Sequence, residues 1–242
     1  MANAKGRCVV CGASPTVKVH LFPRALTKRI RGDEKNLVEG SRHQPGIKIS
    51  QSGHWDDELL CEAHERAFAD ADDYAARFWR RFERQARLSD TGNSYTVSNP
   101  RPDLLLRFVY ASVWRYVASR EGSRHNLELG PYRQQFERVL FNGAPPILQA
   151  LVSRSNIVDL RGKRIEIGVP PYRRKLLQWT VWHFSLAGFD FYLKTDQRSF
   201  PADWEQFLIN GNDPVTLPLI DPLRFDSIPM FRPIFTQMLK AG

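Results

Sequence analysis

All three cysteines of the chain fall at metal-ligand spacing. Cys8 and Cys11 make a C-x-x-C, and Cys61 and His64 make a C-x-x-H. Three thiolates and one imidazole suit a tetrahedral zinc ion; with one histidine and no fourth cysteine they suit iron less well. Each pair can wrap the ion from one side. The first would do so on a tight knuckle turn with Gly12 behind it, the second on the opening turn of a helix. A structural zinc contributes on the order of 10 kcal/mol to local folding, and the segment between the pairs has few aliphatic residues to hold itself together. The plainer alternative is that the cysteines are small buried hydrophobes. His20, in "VKVHLFPRAL", is not needed for the tetrahedron. It is either a general base that activates water or a packed strand residue supporting the knuckle.

Specific elements must position these side chains. Val17–Phe22 reads as a short strand ended by Pro23, which puts His20 near the strand end and close to the knuckle. Knuckle and helix can then be brought together by an intervening hairpin, as in a treble clef. The stretch from Arg24 to Gly53 is polar and glycine-rich and reads mostly as loop, with a helical turn at "RALTKRI". Arg24, Lys28, Arg29 and Arg31 begin a basic run that is either a phosphate-contacting arm or a solvated insertion. Cys61 to Leu88 reads as one long helix, because Phe68, Ala71, Ala75, Phe78 and Phe82 recur at three- and four-residue steps. Its aspartates lie early and Arg77, Arg80, Arg81, Arg84 and Arg87 late, as the helix dipole favours; the arginines form a basic ridge or only a solvated face.

"SDTGNSYTVSNPRP" reads as a linker, which divides the chain into a module over 1–90 and a second domain over 100–242. In the second domain, helices are predicted near Pro102–Ser119 and in "LGPYRQQFERVLFNG", with a short one in "PPILQALVSRS". "KRIEIGV" alternates like a strand. "LLQWTVWHFSLAGFDFYLKTD" reads as a hairpin turning at Ala187-Gly188, with His183 packed by neighbouring rings. A small helix in "PADWEQFLING", an edge strand in "PVTLPLI" and an aromatic helix or loop in "IPMFRPIFTQMLKAG" complete the reading. Arg173 and Arg174 stand beside aromatics in "PPYRRKLLQW", which suits phosphate and base contact or simple sheet-edge solvation. No phosphate-binding loop, dinucleotide fingerprint or nucleophile elbow is present. The class is α+β: a metal-bound module with a long helix, then a helical segment and a small antiparallel sheet.

The order "C-x-x-C-G", "HLFPRAL", "GHWDDELLCEAHERAF" resembles the zinc-bearing branch of HNH (ββα-metal, treble-clef) endonuclease-like proteins, over about residues 7–75. The resemblance implies that Cys8, Cys11, Cys61 and His64 hold structural zinc and that His20 is the general base. It implies that Asp57, or Asp56, stands near the middle Asn position, and Glu65 where a last metal-binding His or Asn is common. Mg2+ or Mn2+ would then sit on the scissile phosphate. Val19 departs from the acidic residue that often precedes the histidine, so the resemblance supports the fold better than cleavage. The C-terminal part resembles uncharacterised bacterial and phage proteins, which implies a role in phage conflict.

The totals set bounds. The 242 residues are 42% hydrophobic and 25% charged, too apolar for a disordered chain and long enough for a sizeable core. The formal charge of +9 makes a polyanion a natural partner, DNA above all. Three cysteines cannot build a disulfide framework, no apolar run is long enough to span a membrane, and "MANAKGRC" lacks an apolar signal core. The expected setting is therefore a reducing cytoplasm. Three functions fit: a metal-dependent nuclease acting on DNA, a zinc-stabilised nucleic-acid binder with a degenerate site, and a protein-interaction or homo-oligomeric assembly module.

Overall fold

The computed structural model describes residues 6–40, 47–155, 157–158, 166–219 and 223–224. The elements in chain order are β1 (Val17–His20), α1 (Arg24–Arg31), β2 (Leu37–Gly40), β3 (Ile47–Ser50), β4 (Trp55–Leu60), α2 (Glu62–Arg66) and α3 (Ala69–Gln85). Then come β5 (Arg87–Leu88), β6 (Ser94–Val97), α4 (Pro102–Ala118), α5 (Arg120–Arg124), a 3-10 turn at Gly130–Tyr132 and α6 (Arg133–Phe141). The last part holds β7 (Ala150–Arg154), β8 (Ile157–Val158), β9 (Gly168–Leu176), β10 (Trp179–Leu186), β11 (Phe189–Lys194), a 3-10 turn at Ala202–Phe207, β12 (Val215–Pro218) and β13 (Leu223–Arg224). The fold is α+β, with small antiparallel sheets and one two-residue parallel pair, β8 with β13.

Three of the sheets organise the molecule. β1 pairs antiparallel with β4, β12-β6-β5 form a three-stranded sheet, and β7-β11-β10-β9 form a four-stranded one. The β10–β11 hairpin turns at Ala187 and Gly188, both at positive φ (50° and 80°), the two-residue turn whose twist matches its strands. Gly188 is required twice over, because a Cβ there would run into the Arg154 guanidinium. That guanidinium donates to Gly188 O at 2.6 Å, pairs with Glu83 at 3.1 Å and lies over the Phe189 ring.

Phe78 and Phe82 of the predicted stripe pack on Phe189 of the four-stranded sheet, and Trp79 joins them. Trp79 meets Phe189 edge-on at 4.7 Å, stacks on Phe191 at 5.4 Å and touches Phe108 of α4. Its indole N–H donates to the carbonyls of Leu186 and Ala187, so the ring's one polar atom is satisfied inside the core. One apolar cluster reaches from Cys8 to Leu217, and a second, smaller one gathers Leu151, Trp179, Val181, Phe200 and Leu208.

Several expectations change. The helix expected over Cys61–Leu88 is two helices, because the chain turns at Ala67 and Phe68 to bury Phe68 against Trp114 and Phe141. Arg24–Gly53 is not mostly loop: α1 runs for eight residues and β2 pairs with β3. The stretch read as a linker carries β6, the central strand of its sheet, which pairs with β5 just before the stretch. "PPILQALVSRS" forms β7 rather than a helix; Ala150 to Arg154 are all buried and the strand is paired along β11. The first three residues of "KRIEIGV" and all of "IPMFRPIFTQMLKAG" lie outside the described residues, and Gly168 and Val169 open β9.

The ring cluster yields a test. Phe191→Ala should cost about 3–5 kcal/mol in chemical denaturation, against about 0.5 or less for Ile49→Ala at an exposed site.

Candidate metal centre

The first pair of ligands sits on a tight turn. Gly12 N–H donates to Cys8 O at 2.8 Å, Cys8 N–H to Ala13 O at 2.9 Å, and Gly12 closes the turn at φ 73°. Val9 N–H reaches Leu59 O at 3.0 Å, which docks the turn on the end of β4. The second pair opens α2: Cys61 is its N-cap in extended geometry, and His64 lies in the first turn with its ring edge-on to Phe141. The four ligand atoms all lie within 4.8 Å of one another. Cys8 Sγ is 3.6 Å from His64 Nδ1, Cys61 Sγ is 3.2 Å from the same nitrogen, and Cys11 Sγ is 3.8 Å from Cys61 Sγ.

These separations fit one tetrahedral ion. With metal–sulfur bonds of about 2.3 Å, the sulfur–sulfur edge of a tetrahedron is roughly 3.8 Å and the sulfur–nitrogen edge about 3.5 Å. The local field acts on two of the sulfurs in opposite directions. Burial pushes the Cys8 thiol up, but backbone hydrogen bonds from Cys61, Cys11 and Val10 outweigh it, and the net shift is downward. Cys11 moves the other way: the Ala13 backbone pulls its thiol down, while desolvation and the sulfurs of Cys8 and Cys61 raise it overall. Unpaired sulfurs this close repel as thiolates; a bound cation removes that repulsion. The donor set fits a thiophilic ion such as zinc.

Around the cluster, β1 runs antiparallel to β4, which leads directly into α2. His20 ends β1 opposite Trp55 and is half-buried. Desolvation, then the charges of Lys18, Arg24 and Arg115, hold its imidazole below the ordinary 6.5. Glu65 is also half-buried, and desolvation raises its carboxyl against the pull of Arg115. Asp57 is exposed and pairs with Arg120 at 2.5 Å. Its neighbour Asp56 is buried, accepting from Glu58 N–H at 2.9 Å, Arg120 N–H at 2.8 Å and Arg120 Nε at 3.1 Å. Among the described residues, Cys8, Cys11, Cys61 and His64 are the one group of three or more His, Cys, Asp or Glu whose ligand atoms converge. His20, Asp57 and Glu65 form no second one. Arg115 stands near this region instead, buried, bidentate to Asp72 at 2.6 and 2.9 Å and 4.8 Å over the Phe68 ring.

The basic residues separate into tied and open ones. Arg29 is tied: Nε and Nη2 each donate to Glu166 at 2.9 Å, and Nη1 to Trp79 O. The Glu166 hydrogen bonds raise its pKa. Arg31 donates to Gln51 O. Arg24 and Lys28 on α1, Arg80 and Arg84 on α3, and Arg173 and Arg174 on β9 are exposed. Arg80 and Arg174 each bond a nearby backbone carbonyl through Nε, which leaves the rest of the guanidinium outward.

Two groupings escaped the sequence reading. Trp55 is 41% exposed with Lys18 Nζ 4.2 Å above its ring. The only sequence signal was the alternation that puts Lys18 and His20 on one face of β1. Around His183, the expected ring packing is present, with Tyr192 stacked at 4.4 Å. But His183 also bonds Tyr172 Oη at 2.7 Å and Asp190 Oδ1 at 3.2 Å, contacts that only the strand register reveals.

Compared with family models, curated proteins and solved structures, the chain matches none.

The protein should carry one equivalent of zinc by elemental analysis. Cys61→Ser or a strong chelator should remove it and open residues 6–66 to limited proteolysis. Full metal retention in the variant would break the ligand assignment.

Proposed function

We propose that the chain is a zinc-stabilised nucleic-acid-binding protein, its metal module an HNH-like treble clef. The order of knuckle, β1, β4 and α2 around the Cys3His group supports that frame. The binding reading is carried by open cations on α1 and α3, with an exposed aromatic on β4. Arg24 and Lys28 on α1 and Arg80 and Arg84 on α3 supply phosphate contacts. α1 and α3 are neighbours, since Arg29 reaches the Trp79 carbonyl. Trp55, with Lys18 over its ring, offers a face on which an unpaired base can stack. The surplus of nine positive charges favours any polyanion, and this grouping favours single-stranded DNA.

Cleavage is the second reading, and His20 favours it. Desolvation and the neighbouring cations disfavour its charged form, and it is only half-buried, both of which suit a general base. Asp57 and Glu65 would hold Mg2+ or Mn2+, which would supply charge stabilisation at the phosphate. Against this stand the Arg120 pair on Asp57 and the lack of a converging ligand group among the described residues there. The geometry therefore supports binding over hydrolysis.

Binding to single-stranded DNA should weaken steeply with salt. Arg80→Ala with Arg84→Ala should flatten the log–log slope by about 1–2, at about 0.7 per phosphate contact. Trp55→Ala should weaken binding about tenfold. Salt-independent retention would contradict the reading. Plasmid nicking in Mg2+ or Mn2+ that vanishes in His20→Ala would establish the second reading; equal nicking by both proteins would exclude His20 as the base.

A further inference from the structure

The outer face of the four-stranded sheet carries a chain of polar groups that nucleic-acid binding does not use. The strand registers explain why they meet. Tyr172 of β9 is the direct cross-strand partner of His183 on β10, and His183 is the partner of Tyr192 on β11. Asp190 is the direct partner of Ser185 and lies diagonal to His183, within side-chain reach. Tyr172 Oη is 2.7 Å from His183 Nδ1, and His183 Nε2 is 3.2 Å from Asp190 Oδ1, which also accepts from Ser185 Oγ.

The donor directions follow from the chemistry of the groups. Asp190 Oδ1 already accepts from Ser185 Oγ and faces Nε2 as an acceptor, so Nε2 carries the imidazole proton. Nδ1 is then a lone pair, and the Tyr172 hydroxyl donates to it. Every bond in the chain points toward Asp190, the direction in which a phenol would lose its proton. Tyr192, stacked on the imidazole at 10° between planes, fixes its orientation. His183, Asp190 and Ser185 are buried, whereas Tyr172 is half-buried on β9, an edge strand among the described residues. Two residues along that strand, on the same face, stands exposed Arg174.

A nucleophile within hydrogen-bond reach of a base that a third group orients is the arrangement of covalent catalysis. We propose that Tyr172, His183 and Asp190 are the nucleophile, base and orienting carboxylate of a phosphodiester-transfer site, with Arg174 as the phosphate's cation. The choice of substrate rests on the nucleic-acid reading of the basic face. Tyr172 Oη attacks phosphorus as its proton passes to His183 Nδ1, and Asp190 steadies the resulting imidazolium. The bond from phosphorus to the leaving oxygen breaks with its electron pair. A leaving alkoxide recovers the proton from His183, giving a phosphotyrosine diester and a free hydroxyl. No oxidant or reductant is needed.

The test uses the full chain and two probes: the p-nitrophenyl ester of thymidine 5'-phosphate, and a labelled single-stranded oligonucleotide. The ester should release a burst of nitrophenolate equal to the protein present and add one thymidylyl group to Tyr172 by mass. Tyr172→Phe, which keeps the ring and should keep the thermal midpoint, should abolish the burst. Asp190→Asn should slow it about a hundredfold or more. The oligonucleotide should give an adduct that survives denaturation. Retention of the oligonucleotide at low salt with no adduct from either probe overturns the site and leaves the binding reading intact. An ester adduct on Tyr172 without retention supports the site and overturns the binding reading. Equal adduct formation by Tyr172→Phe overturns the nucleophile assignment.

Discussion

The N-terminal third of the chain depends on two ligand pairs, far apart in sequence, meeting at one point. Cys8 and Cys11 must reach Cys61 and His64 closely enough for four donor atoms to share an ion. The backbone makes this possible from both ends. Val9 bonds to Leu59, and Val17 pairs with Leu60, so the knuckle is held against the strand that delivers Cys61. Because three sulfurs at this spacing repel when ionised, the arrangement suits a cation.

That junction is built into the rest of the molecule. His64 packs its ring edge on Phe141, and Phe68, one turn further on, fills the space between Trp114 and Phe141. Arg115 of α4 grips Asp72, and Arg120 at the start of α5 grips Asp56 on β4. Each of these ion pairs joins the metal module to the helical segment through a buried or half-buried partner. Removing one partner would leave the other desolvated and uncompensated, so the two parts are coupled by penalty as well as by packing.

What was legible in the sequence was local. Cysteine spacing announced the ligand group, and the three- and four-residue recurrence from Phe68 to Phe82 announced the buried face of α3, with all five residues in the core. Ala187-Gly188 announced the hairpin. What was hidden depended on partners distant in the chain. Ala150 to Arg154 reads as helix until β11 lies beside it, because so short a run has no period to decide between the two. Arg29 reads as a phosphate contact until Glu166 occupies its fork. His183 reads as a packed ring until the register delivers Tyr172 and Asp190 to its two nitrogens. Residue type and spacing along one element do not encode such pairings.

The most direct test of the central claim is X-ray absorption at the zinc edge of the purified full-length protein. The account predicts a four-coordinate first shell of three sulfurs at about 2.3 Å and one imidazole nitrogen at about 2.0–2.1 Å. A shell of oxygens, or no metal at the edge in a protein that remains folded, would contradict it.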